Sequence, residues 1–340
     1  MNARWYGSVV VAVLSLAPAV VVGQTATPEN WTAPRTAFGH PDLQGTWANN
    51  RATPMERPEQ FGEKATLSDE ELAELTSQIA VFRNSEQAGD LLGDRLIQQA
   101  LGNSEFQDFD AETGNYNAFW LVDRALDNRT SLIVSPSNGR LPARTDAAQA
   151  RARERAASRG GPSDGPESRG LGDRCLHFAV PSMGSGYNSY FQLLQTPDQV
   201  TIIQEMGHLV RTIPLDGRPH LDEKIPQWIG NARGRWEGDT LVVETRNYDP
   251  QSSYSDASSN LVLVERFSRV GPTVLRQELT LTDPDTWTSP WTVELLLDES
   301  QDLLFEYACH EGNYAMAGIL GGARAEERAA EGGQSPGPDP

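Results

Sequence analysis

Between about residues 190 and 309 the chain is a succession of short segments in which apolar and polar residues alternate, separated by tight turns. Period-two alternation places one set of side chains on each face of a strand, so such segments must pair and bury a shared face. The segments are 190–195, 200–205 and 208–213, the last two kinked around Gly207. Next come 234–236 and 240–245 across Glu237-Gly238-Asp239, 261–270 and 274–281 across Gly271-Pro272, and 291–297 followed by 303–309. Regular short strands with tight turns predict a mainly β fold: an antiparallel meander closing into a barrel, or a sandwich if it does not close. Upstream, 42–47 begins a strand, and 130–134 is a shorter one stopped by Pro136-Ser137-Asn138-Gly139.

Helical signals lie towards the N-terminus. Ser68 with Glu71 three residues on is a capping box, and Leu72, Leu75, Ile79 and Phe82 follow at helical spacing. This predicts a helix to about residue 84 that packs on the outside of a core, and a second helix is expected over 90–99. Segment 146–170 is rich in Ala, Arg, Gly and Ser without an apolar face, and reads as a mobile insertion or a helix-to-linker segment. The expected layout is a signal peptide at 1–23, an extended and helical segment at 24–115, a β-barrel domain at 116–323 and a disordered tail at 324–340.

The first residues carry Arg4, an apolar run over 7–22 and the small-residue sequence Val21-Val22-Gly23 before Gln24, the pattern of a cleaved secretory signal. The run is broken by Pro18, and a spanning helix needs about 20 apolar residues, so anchoring is the weaker reading. A periplasmic or secreted protein is expected, with no membrane insertion after cleavage. A net charge of −19 lacks the basic face that nucleic acid or an anionic membrane surface would require. In an exported chain, Cys175 and Cys309 read as a disulfide. The alternative, a catalytic Cys309 beside His310, needs a thiol of lowered pKa.

Two stretches concentrate reactive groups. Glu205, His208 and Arg211 fall on one strand region, where a bulge at Gly207 would bring all three to one side. In that arrangement His208 is the general acid or base, Glu205 its orienting partner and Arg211 the clamp on an anionic or carbonyl oxygen. The plainer alternative is an Arg–Glu pair stitching the sheet. Glu306-Tyr307-Ala308-Cys309-His310-Glu311-Gly312-Asn313-Tyr314 sets an imidazole, carboxylate, amide and phenol together, with His310 as a second proton donor. Adjacent His310 and Glu311 would face opposite ways in a strand, so only one of them, with Asn313, can line an interior.

Candidate ligand-contacting residues are Asn117, Trp120, Tyr187, Asn188, His220, Trp236, Glu311, Asn313 and Tyr314. His220 follows the Asp216-Gly217 turn, where a barrel mouth would lie. A zinc-type site of His208, His220 and His310 is the metal alternative, although no close His spacing supports it. The chain has no phosphate loop, no Gly-x-Ser-x-Gly elbow and no His-Glu-x-x-His, so no cofactor is expected.

Gly45-Thr46-Trp47 at a first strand, followed by an up-and-down meander, resembles the lipocalin-like arrangement. Longer motifs are similar to those of a largely uncharacterised family of secreted bacterial proteins. They are Pro41-Asp42-Leu43-Gln44-Gly45-Thr46-Trp47, Tyr116-Asn117-Ala118-Phe119-Trp120 and Arg129-Thr130-Ser131-Leu132-Ile133-Val134. They continue with Pro214-Leu215-Asp216-Gly217-Arg218-Pro219-His220, Arg233-Gly234-Arg235-Trp236-Glu237-Gly238-Asp239-Thr240-Leu241-Val242-Val243-Glu244-Thr245 and Tyr307-Ala308-Cys309-His310-Glu311-Gly312-Asn313-Tyr314. The resemblance implies no activity. Asn231-Ala232 departs from an Asp-Ser pair, and the insertion over 158–170 is longer and more polar than the pattern. The expectation is an exported enzyme acting on a small organic molecule by acid–base catalysis in a barrel pocket, as a lyase, isomerase or hydrolase. The alternatives are a carrier of an apolar or aromatic ligand, and the metal-dependent enzyme.

Overall fold

A computed structural model describes residues 31–83, 124–158, 160–161, 163–178, 180–184 and 188–332. The strands are β1 (Gly45–Ala48), β2 (Ile133–Ser135), β3 (Tyr190–Gln195), β4 (Gln199–Gln204), β5 (Val210–Pro214), β6 (Asn231–Glu237), β7 (Thr240–Arg246), β8 (Val262–Gly271), β9 (Val274–Thr282) and β10 (Trp291–Ser300). They form one antiparallel sheet in the order β5-β4-β3-β1-β10-β9-β8-β7-β6, with β2 pairing β10 off that path. The mainly β reading and most of the expected strands stand.

The alternation of the longest strands decides which face is inside. Leu263, Phe267, Leu275, Leu279, Val293 and Leu295 are buried, and the immediate neighbours of each along its strand are partly exposed. Each such side chain taken fully from water contributes about 1.5–3 kcal/mol. Trp47 is fully buried in the same core, donates from Nε1 to the Leu43 carbonyl at 2.9 Å and lies 5.3 Å below the Arg269 guanidinium.

The sheet curls until its two terminal strands approach. A Cβ added to Gly234 of β6 would stand 2.6 Å from Leu215 Cδ2 and 2.8 Å from Ile213 Cγ2 of the β5 segment. Among the described residues no hydrogen-bonded ladder joins β5 to β6, so the sheet is not closed.

Helix α1 (Asp69–Arg83) begins with the expected capping box: the Ser68 amide donates to Glu71 Oε2 at 2.8 Å, and the Glu71 amide to Ser68 Oγ at 3.3 Å. Its Leu75 and Ile79 pack with Ala52 and Leu67 in a small separate cluster. The helix expected over 90–99 lies outside the described residues.

Three expectations are corrected. Of the two readings of 146–170, the mobile insertion gives way over 146–158 to the helix-to-linker one: these residues are helix α2 (Asp146–Ser158), because an Ala/Arg-rich sequence favours helix and a local cap and a tertiary bond hold it. The Ala148 amide donates to Thr145 Oγ1 at 3.1 Å, and Arg151 donates to Thr286 Oγ1 at 2.8 Å. The tail expected to be disordered from Arg324 is helical as far as Gly332, in α3 (Tyr314–Gly332). Residues 303–309 are not a strand. β10 already pairs with β9 on one edge and with β1 and β2 on the other, so no edge remains for a chain returning after Ser300.

Among the described residues no helix is long and apolar enough to cross a membrane. Cys175 and Cys309 are bonded, as an oxidising compartment permits.

Candidate functional site

Period-two alternation drives one arginine into the sheet's interior. In β5, Arg211 and Ile213 are buried while Val210 and Thr212 are exposed. In β8, Glu265 sits between Leu263 and Phe267 on the buried face, with none of its surface exposed. The two side chains meet across the interior: Arg211 Nη1 donates to Glu265 Oε1 at 3.1 Å, and Nη2 donates to Oε2. Gln277 Nε2 of β9 also donates to Glu265 Oε1 at 3.0 Å, and Arg211 Nη2 lies 3.4 Å from Thr245 Oγ1 of β7.

Taking either charge alone into this core would cost several kcal/mol, and the bidentate pair with its polar neighbours is what makes the burial tolerable. Burial opposes the charge on Arg211, but the Glu265 carboxylate outweighs it and holds the guanidinium above its ordinary pKa. The nearby Tyr248 phenol is pushed well up by burial, and the Glu265 charge adds to that. Among the described residues, Arg211 Nε is buried without a hydrogen-bond partner.

A cavity borders the ion pair. Arg211, Glu265, Gln277 and Gln204 are its polar strand residues, and Phe191, Ile202, Phe267, Leu295 and Leu297 its apolar wall. Pro181, Ser182, Gly184 and Ser189 line its loop side, together with Asn49. That side is tied to the end of β1: Asn49 Nδ2 donates to the Gly184 carbonyl at 2.8 Å, and Ser189 Oγ to the Asn49 carbonyl at 3.0 Å. The cavity gives the centres of water-sized molecules about 30 Å³ of room. A single water needs roughly 10–15 Å³ on that measure, so the space suits a few waters or a small polar molecule.

Of the sequence-derived candidates among the described residues, the structure brings only Arg211 to this cavity. Glu205 is buried but faces elsewhere, accepting from Asn188 Nδ2 at 2.7 Å and from the Phe305 amide at 3.0 Å. His208 is exposed at the end of a 3-10 turn, Met206–His208, with φ of 51°. Gly207, at φ 70°, does break the strand there, but the break turns the imidazole out instead of gathering the three groups. His220 is half-buried with Nε2 3.4 Å from Glu244 Oε1, a carboxylate that also accepts from Arg246 Nε at 2.6 Å. Trp236 stacks on His40, ring centroids 4.6 Å apart and planes 7° off parallel.

The segment 309–314 is a surface turn. His310, Glu311 and Tyr314 are exposed there. Asn313 accepts the Met316 amide at Oδ1 and donates from Nδ2 to the Asp173 carbonyl at 2.9 Å, which makes it a helix-start and docking residue. The disulfide removes the reading of Cys309 as a thiolate nucleophile. His208, His220 and His310 do not converge, and among the described residues no group of three or more His, Cys, Asp or Glu could hold a metal ion. Asn117, Trp120 and Tyr187 lie outside the described residues.

Glu265 and Gln277 escaped the sequence reading, although a signal existed. Each is a polar residue at an inward position of a long alternating strand, Glu265 between Leu263 and Phe267, Gln277 between Leu275 and Leu279. No family model, no curated protein and no solved structure matches this chain.

Proposed function

We propose that the protein binds a small, net-neutral organic molecule carrying a carbonyl or amide oxygen, in the cavity beside Arg211 and Glu265. The observation that carries this is a buried guanidinium with one donor, Nε, that has no partner among the described residues, and whose charge an adjoining carboxylate already neutralises. Such a pair offers directed hydrogen bonds and no net charge. A carboxylate ligand would have to compete with Glu265 for Arg211, whereas a neutral oxygen need not. Gln204 and Gln277 supply amides at the same wall, and the phenyl rings of Phe191 and Phe267 supply apolar cover. The limited room counts against a long apolar passenger of the lipocalin type.

The curled sheet is read here as an open, lipocalin-like barrel whose interior is the binding chamber. The N-terminal signal pattern together with the Cys175–Cys309 bond supports export to the periplasm or beyond. The resemblance to secreted bacterial proteins is in keeping with both.

The test is a panel of small amides, ketones and carboxylates added to the protein, read by the side-chain NH₂ resonances of Gln204 and Gln277. Neutral carbonyl compounds are expected to move both, with weaker effects in Arg211→Met/Glu265→Leu. A panel in which nothing moves them removes the proposal.

One observation favours catalysis as a second reading: Glu265 is a fully buried carboxylate that borders the cavity, within reach of a bound molecule as a general base must be. The acid–base role assigned to His208 then passes to Glu265, because no imidazole lines the cavity. If a bound compound is turned over by wild type and not by Glu265→Gln, which still binds it, the lyase, isomerase or hydrolase reading holds. If every bound compound is recovered unchanged, it does not.

A further inference from the structure

After β10 the chain leaves the sheet and runs across residues 163–178 and the β4–β5 turn, making one attachment after another. The Phe305 amide donates to Glu205 Oε2 at 3.0 Å. The Tyr307 ring meets Phe178 edge-on at 5.2 Å, and Phe178 in turn packs so closely on Gly207 that a Cβ there would be 2.4 Å from the ring. Cys309 is bonded to Cys175, Asn313 donates to the Asp173 carbonyl, and Arg324 Nη2 donates to the Ser163 carbonyl at 2.9 Å.

Two of these attachments fall at the two ends of one loop. Cys175 stands just before Leu176–Phe178, and Asn188, held by the same Glu205 carboxylate that takes the Phe305 amide, stands just before Ser189. Between these two points lie Pro181, Ser182 and Gly184, and Ser189 follows, all of which line the cavity. Glu205 is buried and both of its oxygens are engaged, one by the loop and one by the C-terminal segment.

We infer that residues 303–309 are a strap that fixes the loop wall of the cavity from both ends, through the Cys175–Cys309 bond and through Glu205 as a positioning residue, and that reduction of the disulfide releases it. The step is a thiol–disulfide exchange: a dithiol gives up two electrons and two protons, its sulfurs become a disulfide, and Cys175 and Cys309 become thiols. Without the bond, the attachments left among the described residues are the Phe305 amide to Glu205, the Tyr307–Phe178 ring contact and the polar contacts of Asn313 and Arg324. Leu303 and Phe305 are 80% and 71% exposed, so little apolar burial opposes its departure. The sheet core uses none of these contacts and stays folded. Calling the loop a binding wall rests on the proposed function; the coupling of strap to loop does not.

The experiment is hydrogen–deuterium exchange on the full chain without any ligand, comparing oxidised protein, protein reduced with dithiothreitol, Cys309→Ser and Glu205→Gln. Reduction and Cys309→Ser are expected to raise exchange about tenfold or more in peptides spanning 303–314 and 180–192 together, with β8–β10 unchanged. Glu205→Gln, with the disulfide intact, is expected to raise exchange around 188–192 and at Phe305. Faster exchange at 303–314 alone, in neither region, or throughout the sheet overturns the inference. Because no ligand is present, a failed ligand panel leaves this result standing, and a negative exchange result leaves the cavity's ligand open.

Discussion

The β5/β8 interior and the turn at 309–314 carry similar chemical groups, and the fold treats them in opposite ways. Inside, Arg211 and Glu265 have 7% and 0% of their surface exposed, and each has to find the other. Outside, His310 and Glu311 are in water and need no protein partner, while Tyr314 leaves 82% of its surface exposed. A dense run of polar side chains in sequence is therefore weak grounds for a site. A single charge at an inward position of an alternating strand is stronger, because burial forces the surroundings to answer it.

Three substitutions put that contrast under strain. Glu265→Ala leaves the Arg211 guanidinium buried with no carboxylate, and is expected to lower unfolding free energy by about 3–5 kcal/mol, read as a fall in the urea midpoint. A loss under about 1 kcal/mol would mean that the interior is wet enough to hold a lone charge, and the distinction between the two regions would collapse.

Gly234→Ala tests how tightly the two ends of the curled sheet are pressed together. The added methyl meets Leu215 and Ile213 at distances no Cβ tolerates, so a cost of about 1–3 kcal/mol is expected in the same assay. A neutral result would show β5 and β6 free to part, and the interior less enclosed than its burial implies.

His310→Ala is expected to change stability by less than about 0.5 kcal/mol, since an exposed residue on a turn has little to lose. A larger effect on unfolding, or any effect on ligand-induced shifts at Gln204 and Gln277, would draw the surface turn back towards the cavity.

Much of the fold was legible because it rests on local rules. The Ser68/Glu71 capping box marks the start of α1 to the residue, and the runs expected as strands at 190–195, 240–245 and 274–281 are strands with nearly those limits. The errors fall where a local rule was overridden. Residues 303–309 have the apolar and aromatic content of a strand, but both edges of β10 were already occupied. Residues 146–158 lack an apolar face, yet Ala-rich helix propensity and the bonds of Arg151 to Thr286 and to the Asp285 carbonyl suffice.

The candidate site was legible in one residue, Arg211. Its expected partner Glu205 is six positions away in sequence, and its actual partner Glu265 is fifty-four.

The amino-acid sequence by itself determined the alternation that sorts each strand's residues into two faces, the cap that starts α1, and a cysteine pair suited to an oxidising compartment. Which buried residue meets which was decided only when nine strands curled into a shared interior, bringing β5 against β8. Alternation is a property of neighbouring residues and can be read along the chain. The pairing of two buried charges depends on strand order and curvature, which depend on every ladder at once.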